Sequence, residues 1–434
     1  MVKTIEVEPV TRLEGHGGLR IVLEDSGKVQ SVQFNITSTR FFEKFLEGRY
    51  CEHVPRITPR ICGICPIPHH LAPTKAVEDA WGVKIPEPAR KLRKLLINAK
   101  QYSSHALHFY ALAAPDFLLG PMANPALRNV VYVINKLPDV GAMALKMMDF
   151  GQKLCAAIGG KSVDPMSAIV GGMKKALDED VRDKFLKQIN DQIEWTKKTV
   201  EIGLKVVDDY WDVVSKVGVV PTYYAAMTNN GVHDIYEGNI RMVAPDGKKI
   251  DYDYHKYLDA LGEHVAKHSY STHMYYKPAG YPEGIYRANT LAMINAADKM
   301  ATPLADEALK AFRAKTGPIT HHTFAYHWAR LIELVESVEV IKTLLEDPDV
   351  CNPDCKTLDV EPREGNGIGL VEAPRGLLLY HIWSDAEGLC KKANLLVATN
   401  HNIGGIEKTL MHVAKQVFED KALEKLKLPQ PWIK

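Results

Sequence analysis

Cysteine is scarce and odd in number, with 7 in 434 residues, which excludes a disulfide-stapled scaffold. Charge of one sign is not in excess. Lys+Arg total 54 against 53 Asp+Glu, a formal net charge of +1, so no global field draws nucleic acid or an anionic membrane. No apolar run approaches the roughly 20 residues of a membrane span. The opening MVKTIEVEPVTRLEGHGG has no hydrophobic region and no cleavage site, so no secretory signal is expected. Repeats of 20–50 residues and low-complexity linkers are missing too. What is there is ordinary globular usage, 46% apolar and 25% charged. The expectation is a reduced, cytoplasmic chain without a membrane span, in which closely spaced cysteines serve metal or redox chemistry.

Hydropathy periodicity predicts an α+β, mainly α, chain. A large helical bundle carries small antiparallel sheets near its N- and C-terminal parts, and 1–434 reads as a single domain. Period-two alternation over Thr4–Val10, Leu19–Glu24 and Val29–Ile36 predicts a sheet within 1–40. Phe41–Arg49 has helical spacing. Pro55, Pro59, Pro66 and Pro68 predict that Cys51–His70 is irregular for much of its length. The main helices fall in 86–217. One enters at Pro86 and runs to about Leu112, and a long one covers about Asp178–Val217. Residues 218–300 read as a mixed insertion of short strands and loops. In 301–434, Pro303–Lys315 and Thr320–Leu345 read as helices. Gly367–Val371, Gly376–Trp383 and Ala393–Thr399 read as strands with a hairpin, and Ile406–Phe418 as a last helix.

The sharpest local signal is Arg60-Ile-Cys62-Gly-Ile-Cys65-Pro-Ile-Pro-His69. Two thiols two residues apart can chelate one soft or borderline metal. Gly63 permits the turn between them, and Arg60 favours thiolate over thiol. Half a zinc site, a redox dithiol and two buried free cysteines are the competing readings of the pair alone. Cys351 and Cys355 flank Asn-Pro-Asp and read as a surface loop. Cys155 and Cys390 read as buried and inert.

The run Arg60–His69 matches R-x-C-G-x-C-x-x-x-H, and so resembles the first metal motif of [NiFe]-hydrogenase large subunits. Thr11-Arg-Leu-Glu14-Gly-His16 resembles that family's opening motif. His105–Asp116 resembles its aspartate-bearing helix, and Glu372-Ala-Pro374-Arg375-Gly376 its arginine loop. Val397–Asn402 resembles, more loosely, the strand end whose hydroxyl contacts an iron ligand. The matches keep family order from Thr11 to Asn402. They look most like the cytoplasmic methyl-viologen-reducing type of methanogens. The family's second motif, D-P-C-x-x-C, is absent, and the chain closes on Leu428–Lys434. The expectation is that a small separate peptide carries that motif or its selenocysteine form. Truncation and loss of nickel are the alternatives.

The resemblance implies a nickel–iron centre whose iron carries CO and two cyanides. Cys62 would be a terminal nickel ligand and Cys65 a bridge to iron. Glu14 would take the proton, and His69 would hydrogen-bond near the bridging sulfur. Arg375, behind Pro374, would face a cyanide, and Asp116 would pair with Arg375. Thr399 would donate to the second cyanide. Arg60 lies in the surrounding shell, and Glu43 is the candidate magnesium ligand. Too few thiols remain for an iron–sulfur relay, so Fe–S clusters belong on a partner small subunit. Heterodisulfide reductase and a ferredoxin-like subunit would follow. Two other functions compete. A metal-free scaffold related to the quinone-site subunit of complex I would dispense with the thiols, and a zinc-stabilised structural protein would hold zinc without nickel. His105 and His108 read as structural, and His321, His322 and His327 match no known site.

Overall fold

The computed structural model describes residues 3–38, 41–120 and 123–425; Leu428–Lys434 lies outside them. Strands β1 (Lys3–Val7), β2 (Gly17–Leu23) and β3 (Val29–Ile36) form the expected antiparallel sheet. Leu23, Val29 and Val32 on its inner face pack with Ala414 in a small core of their own.

The proline-rich stretch departs from expectation. Cys51–Ile61 is a run of short 3-10 and α turns, but Pro66–Trp81 is a regular buried helix, α1. Pro66 and Pro68 sit in its first turn, where backbone N–H groups have no helical partner anyway. Pro73 lies inside and cannot donate to the carbonyl of His69. The buried Thr58 hydroxyl lies 2.6 Å from that carbonyl and takes the missing donor's place. A proline count therefore misjudges this segment.

Helix α2 (Glu87–Leu107) continues through a π-helical stretch, His108–Ala113, into the short helix Ala114–Leu118. Helix α3 (Pro138–Gly159), unforeseen in the sequence, packs on α2. Its Gly151 lies against the Ala99 carbonyl and Ser103, 2.7 Å from where a β-carbon would sit, so only glycine fits. The long helix is α4 (Glu179–Val214). Residues 218–300 hold a five-stranded sheet around β4 (Tyr223–Asn229). They also hold the hairpin of β5 (Leu261–His264) and β6 (His273–Tyr276). Helices α5 (Pro303–Thr316) and α6 (Ala325–Glu346) follow. A three-stranded antiparallel sheet of β7 (Gly365–Ala373), β8 (Gly376–Ser384) and β9 (Cys390–Leu396) precedes helix α7 (Asn400–Phe418).

Strand β7 is buried on both faces. Ile368 and Leu370 enter the core of the 218–300 sheet. Gly365, Gly367 and Gly369 lie directly against the backbone of α1 at Ala80, Ala76 and Ala72. The helix and the strand run antiparallel, so the end of β7 that leads to Arg375 lies beside the start of α1, where Cys65 stands.

Among the other cysteines, Cys155 and Cys390 are buried, as expected. The surface-loop reading of Cys351 and Cys355 fails at Cys355, which is 1% exposed with its thiol 3.5 Å from the Met173 carbonyl. Gly171 and Gly172 bring that backbone in close.

Candidate metal centre

Cys62 caps the 3-10 turn Thr58–Ile61, and Cys65 occupies the residue before α1. The loop between them places the two Cα atoms 5.3 Å apart and joins the sulfurs in a disulfide, which must be reduced before the thiolates can bind a metal. Cys65 N–H points at the Cys62 sulfur from 3.1 Å. A ring nitrogen of His69, one turn into α1, lies within 4.8 Å of both sulfurs. The donors therefore converge as a soft pair with an imidazole behind it, which suits nickel or iron better than a hard cation. This is one of two ligand clusters of three or more His, Cys, Asp or Glu among the described residues.

The surrounding groups come from five segments. Glu14, in the loop after β1, places Oε1 3.4 Å from the Cys62 sulfur and accepts Ile64 N–H at 3.2 Å. His69 is buried, with Nδ1 2.8 Å from the Tyr380 hydroxyl on β8. Burial pushes the imidazole down to about 3, so it is neutral at physiological pH. Arg375, in the turn between β7 and β8, donates to Ser104 Oγ on α2 at 3.3 Å and to the carbonyl of buried Pro374 at 3.1 Å. Burial lowers the guanidinium to about 10, with Glu14 and Glu333 pulling the other way, so it stays charged. Its backbone carbonyl accepts from Asn402 Nδ2 at 2.9 Å, and Asn402 Oδ1 takes Ala288 N–H at 3.0 Å. Ser104, Tyr380 and Asn402 thus hold the groups that sequence reasoning singled out. Only Asn402 lay inside a motif.

Four expected placements change. Asp116 does not meet Arg375; it pairs with Arg12 at 2.6 Å and Arg128 at 3.1 Å. The π-helical stretch shifts the register of its short helix, and the Asp116 carboxylate instead braces the loop that carries Glu14. The Arg60 guanidinium turns to the Arg56 carbonyl at 2.6 Å and to Asp164 at 3.7 Å. Thr399 is exposed, and its carbonyl accepts from Asn402 N–H at the start of α7. Glu43 accepts Leu395 N–H at 3.2 Å and joins no cluster of three ligating side chains among the described residues. One carboxylate does not make a magnesium site, and no step is drawn through one.

A buried charge array lies between α2, α6 and the 218–300 region. Glu333 meets His105 at 2.7 Å and His233 at 3.5 Å, and His233 also pairs with Glu336. Those partners hold Glu333 down at about 2 against its burial, whereas burial pushes the neighbouring Glu372 well above the usual carboxylate range. His105 is therefore structural, as expected. His321 stacks on Tyr224 and its Nδ1 meets that hydroxyl at 2.9 Å.

Comparison with known proteins places this geometry. The family model for nickel-dependent hydrogenase matches residues 40–126, and one described as HoxL-like matches residues 4–39. The chain is 48% identical over 416 residues to a subunit of the vhu F420-non-reducing hydrogenase of Methanocaldococcus jannaschii, covering 96% of this chain and 99% of that one. It is 38% identical over 429 residues to a subunit of the F420-non-reducing hydrogenase of Methanothermobacter thermautotrophicus, covering 96% and 89%. The solved structure of an NAD+-reducing [NiFe]-hydrogenase in the dihydrogen-reduced state superposes with a TM-score of 0.89 at 32% identity, over 96% of this chain and 97% of that one.

Proposed function

The chain belongs to the [NiFe] hydrogenase large subunits, of the methanogen F420-non-reducing type, and from that membership we propose what its own residues do. It is an oxidoreductase acting on dihydrogen at a nickel–iron centre, and membership of a multi-subunit hydrogenase implies an Fe–S small subunit.

When bound, a nickel–iron centre supplies the Lewis acidity that polarises dihydrogen for heterolysis. Cys62 and Cys65 would hold that centre through their sulfurs, once reduced to thiolates. Glu14 takes the proton at the Cys62 sulfur. Its Oε1 is the nearest carboxylate oxygen, it is fixed by Ile64 N–H, and its exposed side opens the way outward. With the Tyr380 hydroxyl donating to Nδ1, neutral His69 keeps its proton on Nε2, a donor for thiolate lone pairs. Arg375 keeps a fixed positive charge for an anionic diatomic ligand. One CO and two cyanides on iron are the ligands we assign.

The other two nickel ligands come from a D-P-C-x-x-C segment or its selenocysteine form on a small peptide. Electrons pass to Fe–S clusters on the partner subunit, then to heterodisulfide reductase through a ferredoxin-like subunit. The thiol inventory supports a relay carried by another subunit. Beyond Cys62 and Cys65, the remaining cysteines lie apart from the site, four of them buried.

The observation that carries the reading is the Glu14 carboxylate resting on the Cys62 sulfur, beside Cys65 and His69. The test is metal analysis and dihydrogen-dependent viologen reduction by the purified complex. Nickel is expected with the wild-type chain, together with a small peptide in its native mass spectrum. Cys65→Ser is expected to lose nickel and more than 99% of activity. Zinc without nickel, or an active Cys65→Ser complex, overturns the reading.

A further inference from the structure

We propose that His268, His273 and Glu407 form a second metal site that binds one zinc ion, built from elements other than those that hold the thiols. The three side chains each offer a ligand atom, and these atoms lie within 4.8 Å of one another. His268 Nε2 is 2.7 Å from Glu407 Oε2. A tetrahedral zinc with bonds of 2.0–2.1 Å sets its ligands about 3.3 Å apart, so this set closes on an ion by small side-chain rotations.

Three chain segments meet there. His268 lies in the loop of the β5–β6 hairpin, His273 opens β6, and Glu407 stands on α7. An ordinary His268–Glu407 ion pair accounts for two of them and leaves the third unexplained. His273 is 1% exposed, and its Nε2 has no hydrogen-bond partner. A buried ring nitrogen without a partner is costly. The other nitrogen, Nδ1, faces the Tyr281 hydroxyl at 3.4 Å. One ring nitrogen held by an outer partner and the other free is the arrangement of a metal-ligating histidine.

Ligand type selects the ion. Two imidazoles and one carboxylate suit zinc, with a water completing four-coordination. The side chains of His268 and Glu407 are 24% and 19% exposed, which gives both the water and the ion a way in. Glu407 Oε2 also accepts Phe34 N–H from β3 at 2.8 Å. The ion therefore ties the N-terminal sheet, the hairpin and α7 together. Asn402, in the first turn of α7, holds the Arg375 carbonyl with its side chain, so the site secures the same helix one to two turns on.

The proposal does not depend on the hydrogenase reading, and its test reads zinc rather than turnover. Crystals of the complex, purified without chelators, are measured above and below the zinc absorption edge. An anomalous peak is expected about 2.1 Å from the three ligand atoms. In the complex carrying His268→Gln and His273→Gln, elemental analysis is expected to show one zinc equivalent fewer per chain, with nickel unchanged. No peak, a peak from another element, or unchanged zinc in the double variant overturns the proposal. If the variant fails to accumulate, the wild-type anomalous measurement decides alone.

Discussion

Glu14 shows how little a single residue says and how much its neighbours add. Before a glycine in a loop it reads as a turn residue, yet its carboxylate reaches both the Cys62 sulfur and Ile64 N–H. Glu14→Gln keeps an acceptor for that N–H and removes the carboxylate proposed to carry the proton. Dihydrogen–deuterium exchange is expected to fall by about 10²–10⁴-fold, with nickel content unchanged. Exchange at the wild-type rate would remove Glu14 from the proton path. The thiols and Glu14 were legible because a motif fixes residue types at short spacing. The ion pairs of Asp116 were not, because Arg12 is distant in sequence and a π-helical stretch decides where the carboxylate points.

At the scale of elements, α1 and β7 carry the clearest disagreement between pattern and fold. Four prolines hid the start of α1, although Pro66 and Pro68 fall in its first turn, where no donor is needed; Pro73, further in, is offset by a tertiary donor, Thr58. Thr58→Val leaves a buried carbonyl without a donor. It is expected to cost about 1–3 kcal/mol, read as a lowered urea midpoint of the purified complex. The alternate glycines of β7 are likewise silent in sequence, where they read only as weak strand residues. Against α1 they are obligatory. A β-carbon on Gly369 would stand 1.9 Å from where the Ala72 carbonyl oxygen already is. Gly369→Ala is therefore expected to push α1 off the sheet at a cost of about 1–3 kcal/mol or more. Because Cys65 leads into that helix, nickel retention should fall with it. A variant with wild-type melting temperature and nickel would refute the account. By contrast, α4 and the strands near both ends were legible, since their periodicity runs long without interruption.

The whole molecule buries histidines that must stay neutral. His70 is satisfied on both nitrogens, donating to the Pro55 carbonyl at 2.6 Å and accepting from Ala168 N–H at 3.0 Å. Burial pushes both it and His401 down to about 4. The unfolded chain takes up those protons near pH 6.5 and the folded chain does not. Stability is therefore retained above pH 6.5 and lost as pH falls toward 4, at about 1.4 kcal/mol per pH unit for each group. Glu333, held at about 2, adds a loss of the same sign below pH 4.5. Glu372 opposes it, since its raised value favours the folded chain as pH falls toward 4.5, and His233, raised by its glutamates, does so above pH 6.5. The urea midpoint is expected to drop from pH 6.5 to 5, and His401→Gln should flatten the slope by about 1.4 kcal/mol per pH unit. An equal slope in the variant would refute the assignment. Composition gave no hint of this, because a histidine count does not say which imidazoles are buried.

The direct seating of β7 on α1 leaves no side chain between the two to act as a spring. The thiol and the guanidinium stand at the same end of that fused arm, one on each element, so their separation behaves as a fixed caliper. Warming or solvent change should leave that gap unaltered until the arm itself gives way, and loss of function should be abrupt rather than gradual.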